Sequence, residues 1–235
     1  MISVAEGAQR DGHGPPSRRP PGSIATLPFA ACFVYSPTGA GSASCRSRRL
    51  CAAIKANDSA SIGRAAALVG RLAARDPMLA AHFGARPVLV PVPPSAPGSQ
   101  RSPWAAARIA AALADAGLGA DVRPLIARRL AVQKSATAAA GARPSVRQHY
   151  DSFGLIDACA DACAAPPAML LIDDVITRGR TLFAAACFLR ATFPDARIGA
   201  FALVRTMGFG AGVARILDPC VGEIRWRRDD AYREP

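Results

Sequence analysis

The stretch Leu170-Leu-Ile-Asp173-Asp174-Val-Ile-Thr177-Arg-Gly179-Arg-Thr181 constrains this chain more than any other. Ala168–Ile172 is a short, continuous apolar run, the pattern of a parallel strand buried on both faces. It delivers two adjacent carboxylates, Asp173 and Asp174, at its C-terminal end. A tight loop containing Gly179 follows, and a helix is predicted to open at Thr181. In open α/β sheets the crevice beyond the strand ends is where ligands bind. Loop amides and a helix N-terminus make an anion site, to which Thr177 and Thr181 can add hydroxyl donors. Gly179 permits a positive φ and close backbone approach. A phosphate held there leaves the carboxylates facing whatever lies one sugar length away. Paired carboxylates accept two hydroxyl hydrogen bonds, so a ribose diol suits them.

The rest of the chain reads as strands alternating with helices, which indicates an α/β fold with a mostly parallel sheet flanked by helices. Residues 1–24 read as a disordered tail, rich in Gly, Pro and Arg. Phe29–Tyr35 is a β-prone run, Arg46–Lys55 a short helix, and a second helix starts at Ser59 or Ser61 and runs to about Ala74. Pro87-Val-Leu-Val-Pro-Val-Pro-Pro reads as a strand that stops abruptly, since its prolines have no N–H and two in sequence cannot continue a ladder. A helix is expected from about Pro103 to Ala116, a strand over Val122–Ile126, a helix over Thr181–Ala191 and a strand over Ile198–Val204. Ala131–Arg147 is long, small and polar, without periodicity, and reads as a functional lid or a disordered loop. Val221–Trp226 is expected to be the last, edge strand, with residues 229–235 frayed. The division is therefore a tail (1–24), one domain (25–228) with a small N-terminal hood (about 25–60), and a frayed end.

Seven cysteines, with no Cys-x-x-Cys pair, read as reduced thiols and not as a zinc ribbon. No apolar run is long enough for a bilayer and no signal-peptide pattern opens the chain, so a cytoplasmic protein with no membrane partner is expected. The net charge of +12 raises the question of nucleic acid. The excess Arg is scattered and forms no basic–aromatic stripe, so a compositional bias towards Arg and Ala explains most of it; a phosphate-rich small ligand would also favour positive charge.

The Leu170–Thr181 stretch resembles the phosphoribosyl-pyrophosphate (PRPP) binding motif of type I phosphoribosyltransferases: apolar strand, two acidic residues, then Thr-x-Gly-x-Thr. The resemblance implies the type I phosphoribosyltransferase fold. It implies that Asp173 and Asp174 bind the ribose hydroxyls of PRPP, and that Val175, Ile176, Thr177, Arg178, Gly179, Arg180 and Thr181 hold its 5′-phosphate. Arg178 stands where the family often has a small residue. The loop of about Pro93–Arg101 would meet the pyrophosphate, and Mg²⁺ would bind through PRPP oxygens and waters. The implied reaction displaces pyrophosphate at C1 with a nitrogenous acceptor. A second, looser resemblance covers residues 29–205. Val90-Pro91-Val92-Pro93, Ile54-Lys55, Arg101-Ser-Pro-Trp104, Gln133-Lys-Ser-Ala, Arg143 and Arg147–Phe153 look like the ComF branch, without its N-terminal cysteine ribbon. That branch opens a different reading, a non-catalytic PRPP- or nucleotide-binding accessory protein acting in DNA uptake. A homodimer is compatible with either.

Several single residues have two readings. Lys134 is a candidate catalytic cation closing over pyrophosphate, or a solvated loop lysine. Arg101 is a candidate pyrophosphate contact, and Lys55 could approach from the side. His149, beside Tyr150 at an expected loop edge, is a candidate general base; His13 and His82 read as solvent-facing. Trp104 reads as packing in preference to a base-stacking platform. Gly179→Val is expected to abolish phosphate binding with the fold intact.

Overall fold

The computed structural model describes residues 20–84, 86–98, 103–132, 143–156, 166–208 and 212–235. Among the described residues the first elements are β1 (Thr26–Tyr35), α1 (Ser42–Lys55), α2 (Ser59–Ala73) and α3 (Pro77–Phe83). Then come β2 (Val88–Pro91), α4 (Ala105–Asp115), β3 (Asp121–Val122), β4 (Ile126–Arg128), α5 (Val146–Asp151) and β5 (Phe153–Leu155). β6 (Ala168–Ile176), α6 (Arg180–Thr192), β7 (Arg197–Thr206), β8 (Leu217–Arg227) and β9 (Asp230–Glu234) complete it. Seven strands form one mixed sheet in the order β3-β2-β6-β7-β1-β8-β9, and β4 and β5 pair as a separate ribbon. The first five sheet neighbours are parallel; β8 runs antiparallel to β1, and β9 antiparallel to β8.

Alternation along the strands builds a core on each face of the sheet. On one face Leu170, Ile172, Phe201 and Leu203 pack with Ile54 of α1, Ile62 and Val69 of α2, Leu79 of α3 and Ile109 and Leu113 of α4. On the other, Met169, Leu171, Ala200 and Ala202 pack with Leu182–Leu189 of α6, Val146 of α5 and the β4–β5 ribbon. The arrangement is an α/β fold with a mostly parallel, mixed sheet flanked by helices.

Several expectations need correction. The 25–60 segment is no separate hood: β1 lies between β7 and β8, with Leu27, Phe29–Cys32 and Val34 at 1% exposure or less, because its apolar residues need two sheet neighbours and helices on both faces. Residues 20–24 are ordered by packing, since Pro20 is buried and Gly22 lies against Cys187 and Ala191 of α6; residues 1–19 lie outside the described residues. Val122–Ile126 is not one strand; it divides between β3 in the main sheet and β4 in the ribbon. β6 runs on past the aspartates because the long β7 continues to pair with it, Val175 with Val204 and Ile176 with Arg205. Nor is β8 the edge or the end frayed. A two-residue turn with both Arg228 (φ 48°) and Asp229 (φ 61°) left-handed folds β9 back onto β8.

Candidate functional site

The chain leaves β2 towards α4 on one face and leaves β6 towards α6 on the other, although β2 and β6 are adjacent and parallel. Loops that diverge from neighbouring strand ends leave a crevice between them, the topological switch point where α/β sheets bind ligands. Val92 N–H still donates to Ile172 O (2.9 Å), extending the pairing by one residue before Pro93 and Pro94 carry the chain away. Trp104 braces this exit by donating its indole N–H to Val92 O at 2.8 Å.

Across the crevice, a recess is lined by Arg143, Asp173 and the continuous run Val175–Leu182. Gly179 is the N-cap of α6 at φ 84°, ψ 11°, and no side chain among the described residues caps the helix. No acidic residue sits in the first turn either, so the opening amides of α6 keep the unsatisfied polarity that attracts an anion. Gly179 is required twice over: its φ is left-handed, and a Cβ there would come within 2.7 Å of Ile224 Cδ1 on β8. Gly179→Val therefore disturbs the fold itself, contrary to the expectation of intact folding.

The carboxylates are partly buried and interact. Asp174 N–H donates to Asp173 Oδ1 (2.9 Å) and Val175 N–H to Asp174 Oδ1 (2.8 Å), so each side chain curls along its own backbone. Burial, then the neighbouring Asp174 carboxylate, pushes the Asp173 carboxyl well above the usual carboxylate range. Arg128 acts in the opposite sense, favouring the ionised form of Asp173. Arg128 is itself buried at 4% exposure and forms no carboxylate ion pair among the described residues. It donates to Pro94 O (3.0 Å) and to Ser152 Oγ, and stacks over Phe153 at 4.3 Å. Desolvation lowers its pKa to about 10.

The loop arginines are engaged from the C-terminal hairpin. Arg180 makes an ion pair with Asp230 and donates to Arg143 O (3.2 Å) and Pro144 O (3.1 Å). Arg178 is more than half exposed, 3.8 Å from Asp230 and 5.9 Å from the Tyr232 ring centroid. Arg233 of β9 donates to Thr206 O (2.7 Å) and Ile176 O (3.5 Å), tying the hairpin to the ends of β7 and β6.

The structure thus gathers Asp173, Val175, Ile176, Thr177, Arg178, Gly179, Arg180 and Thr181 around one recess. Asp174 adjoins Asp173, and its charge acts on Cys51 of α1, as does that of Lys55. Lys134 and Arg101 lie outside the described residues, as do Cys159, Cys163 and His13. His149 is not at a loop edge: it is on α5, 3% exposed, with Nε2 3.4 Å from Thr181 Oγ1. Burial first, then Arg128 and Arg180, push its pKa down to about 4. Nor is His82 solvent-facing, since Nε2 lies 2.8 Å from Ala200 O and burial lowers its pKa. Arg128, Asp230 and Arg233 escaped sequence reasoning, because nothing in their local pattern signals a distant partner.

Among the described residues no helix is long and apolar enough to cross a membrane. No group of three or more His, Cys, Asp or Glu side chains among them is arranged to hold a metal ion. Fold and recess together define an α/β protein in which Asp173, with Asp174 next to it in the chain, shares a recess with the opening turn of α6. Comparison with models of protein families and with curated proteins finds no match for this chain.

Proposed function

We propose that this protein binds PRPP with Mg²⁺ and transfers phosphoribose to or from a nitrogenous acceptor, as a type I phosphoribosyltransferase. One observation carries the reading: Asp173 and the Thr177–Thr181 loop share a recess at the β2–β6 switch point, beside an Arg143 Nε that is buried without a partner among the described residues. An uncapped helix start and an unsatisfied guanidinium nitrogen both call for an anion, and paired carboxylates call for hydroxyl donors or a cation. A phosphorylated sugar meets all three demands.

In this reading the amides of the 177–181 loop, with the Thr177 and Thr181 hydroxyls, hold the 5′-phosphate, and Asp173 and Asp174 hold the ribose hydroxyls. The pair also fits a divalent cation, because hydroxyl donors or a cation would relieve the repulsion that raises the Asp173 pKa. Bound Mg²⁺ supplies neutralisation of pyrophosphate charge. Arg128 fixes the exit of the loop after β2 through Pro94 O, the loop assigned to pyrophosphate. The nitrogen of the acceptor attacks C1 while the C1–oxygen bond breaks, its electron pair leaving with pyrophosphate. Positive charge that develops on the sugar is stabilised by the ionised member of the aspartate pair.

Calorimetric titration with PRPP and Mg²⁺ tests binding, and pyrophosphate release with a panel of nucleobases tests turnover. Saturable PRPP binding with release is expected. Binding without release from any base would favour the non-catalytic reading, and no binding would refute both.

A further inference from the structure

We infer that His149 is a positioning residue whose Nε2–H donates to Thr181 Oγ1 and so turns the Thr181 hydroxyl hydrogen out towards an anion in the recess. The inference rests on the phosphate-binding reading of that recess.

The geometry begins with α5, which packs along α6 and places His149 beside the first turn of that helix. A capping box of Ser145 and Gln148 fixes the start of α5. The carbonyl of His149 accepts from Ser152 Oγ (2.6 Å) and from Arg128 (3.5 Å), which fixes the backbone from below. The imidazole is thus held in place, at 3% exposure, with Nε2 at 3.4 Å from Thr181 Oγ1. Its other nitrogen, Nδ1, is buried and finds no partner among the described residues.

That orphaned nitrogen decides the tautomer. A neutral imidazole carries one hydrogen. On Nδ1 it would be a buried N–H with no acceptor, the rarer and costlier defect; on Nε2 it meets Thr181 Oγ1 and leaves only a bare lone pair at Nδ1. Two cations face the ring, Arg128 from β4 and Arg180 from α6, and both oppose a second proton. With Nε2–H as donor, Thr181 Oγ1 becomes the acceptor of that bond. Its own hydrogen is then available to a second acceptor, and Thr181 lines the recess with Thr177, Arg143 and Gly179. The hydroxyl therefore serves as an oriented donor beside the α6 amides. His149 touches no reacting atom and takes no proton in this role.

Two measurements test it. In protein with ¹⁵N-labelled histidine at neutral pH, two-bond correlations should place the hydrogen of His149 on Nε2. Hydrogen on Nδ1 overturns the inference whether or not PRPP binds. In calorimetry with PRPP and Mg²⁺, His149→Phe should weaken binding about 5–10-fold, the scale of one hydrogen bond. His149→Gln, which carries an amide N–H, should recover most of that loss. In a Thr181→Val background, His149→Phe should cost nothing further. An equal loss in both backgrounds would make His149 mere packing and refute the role. Absence of PRPP binding by the wild-type protein would sink the functional reading instead, leaving the tautomer result to decide the geometry.

Discussion

Removing the titration of His149 should flatten the acid side of the stability profile. Burial, then Arg128 and Arg180, set its folded pKa at about 4, whereas an unfolded histidine titrates near ~6.5. Between those values the unfolded chain binds a proton that the folded protein refuses. Stability is therefore fully present above pH ~6.5, declines as pH falls, and levels off below about 4. Between pH 7 and pH 4.5 the loss from this one side chain is about 2–3 kcal/mol. Other groups titrate in the same window: His82, also lowered by burial, adds to the loss. Asp173, whose folded pKa is raised, works the other way, because the folded state takes up its proton at a pH where the unfolded carboxyl is still ionised. Comparing wild type with His149→Gln cancels these shared contributions. Urea denaturation at the two pH values should give a wild-type shift exceeding that of the variant by about 1 M in midpoint, for slopes of ~2–3 kcal/mol per molar. Equal pH dependence in the two proteins would show that His149 is not held neutral by this surrounding, and the reasoning about its environment would fail.

Asp173→Asn and Asp174→Asn should each cost about 1.5–3 kcal/mol of PRPP binding, read by calorimetry; unchanged affinity in both would remove the pair from the site. Gly179→Ala should destabilise by about 2–3 kcal/mol, from the left-handed backbone and the approach to Ile224, and lower Tm by roughly 5–10 °C. An unchanged melting curve would contradict the conformation described for that residue. Asp230→Asn should cost about 2 kcal/mol in chemical denaturation, since it leaves the largely buried Arg180 without its carboxylate. If stability is unaltered, the hairpin does not anchor the loop that opens α6.

Much of this was legible in the sequence, for identifiable reasons. Ala168–Ile172 is apolar at every position, so a central strand was the consistent reading, and Gly179 marked the helix start within one residue. Two helices were missed although their signals are written out. Asp76-Pro77 is an N-cap followed by proline at the first position, and Ser145-Val-Arg-Gln148 is a capping box. What hid them was length, since seven- and six-residue helices have too few turns to show periodicity. The β8–β9 hairpin was illegible for another reason. Its turn uses Arg228 and Asp229 in place of the Asn-Gly or Gly-Gly that advertises such a turn, and the hairpin is held by partners far away in sequence. The run Val175–Thr181 could be read as a unit because its residues are contiguous. Arg128, His149 and Asp230 were either missed or misplaced because their roles depend on tertiary neighbours.

The place of β1 in the sheet bears on how the protein is made. Phe29 faces Ala200 on one side and Gly222 on the other, so its strand neighbours lie about 170 and 190 residues downstream. During synthesis this apolar segment leaves the ribosome long before either neighbour exists. It must stay unpaired, or be shielded by a chaperone, until β7 and β8 have been translated. Nascent chains arrested before Arg197 should accordingly be the most prone to aggregate, and to recruit such a helper, of any length produced.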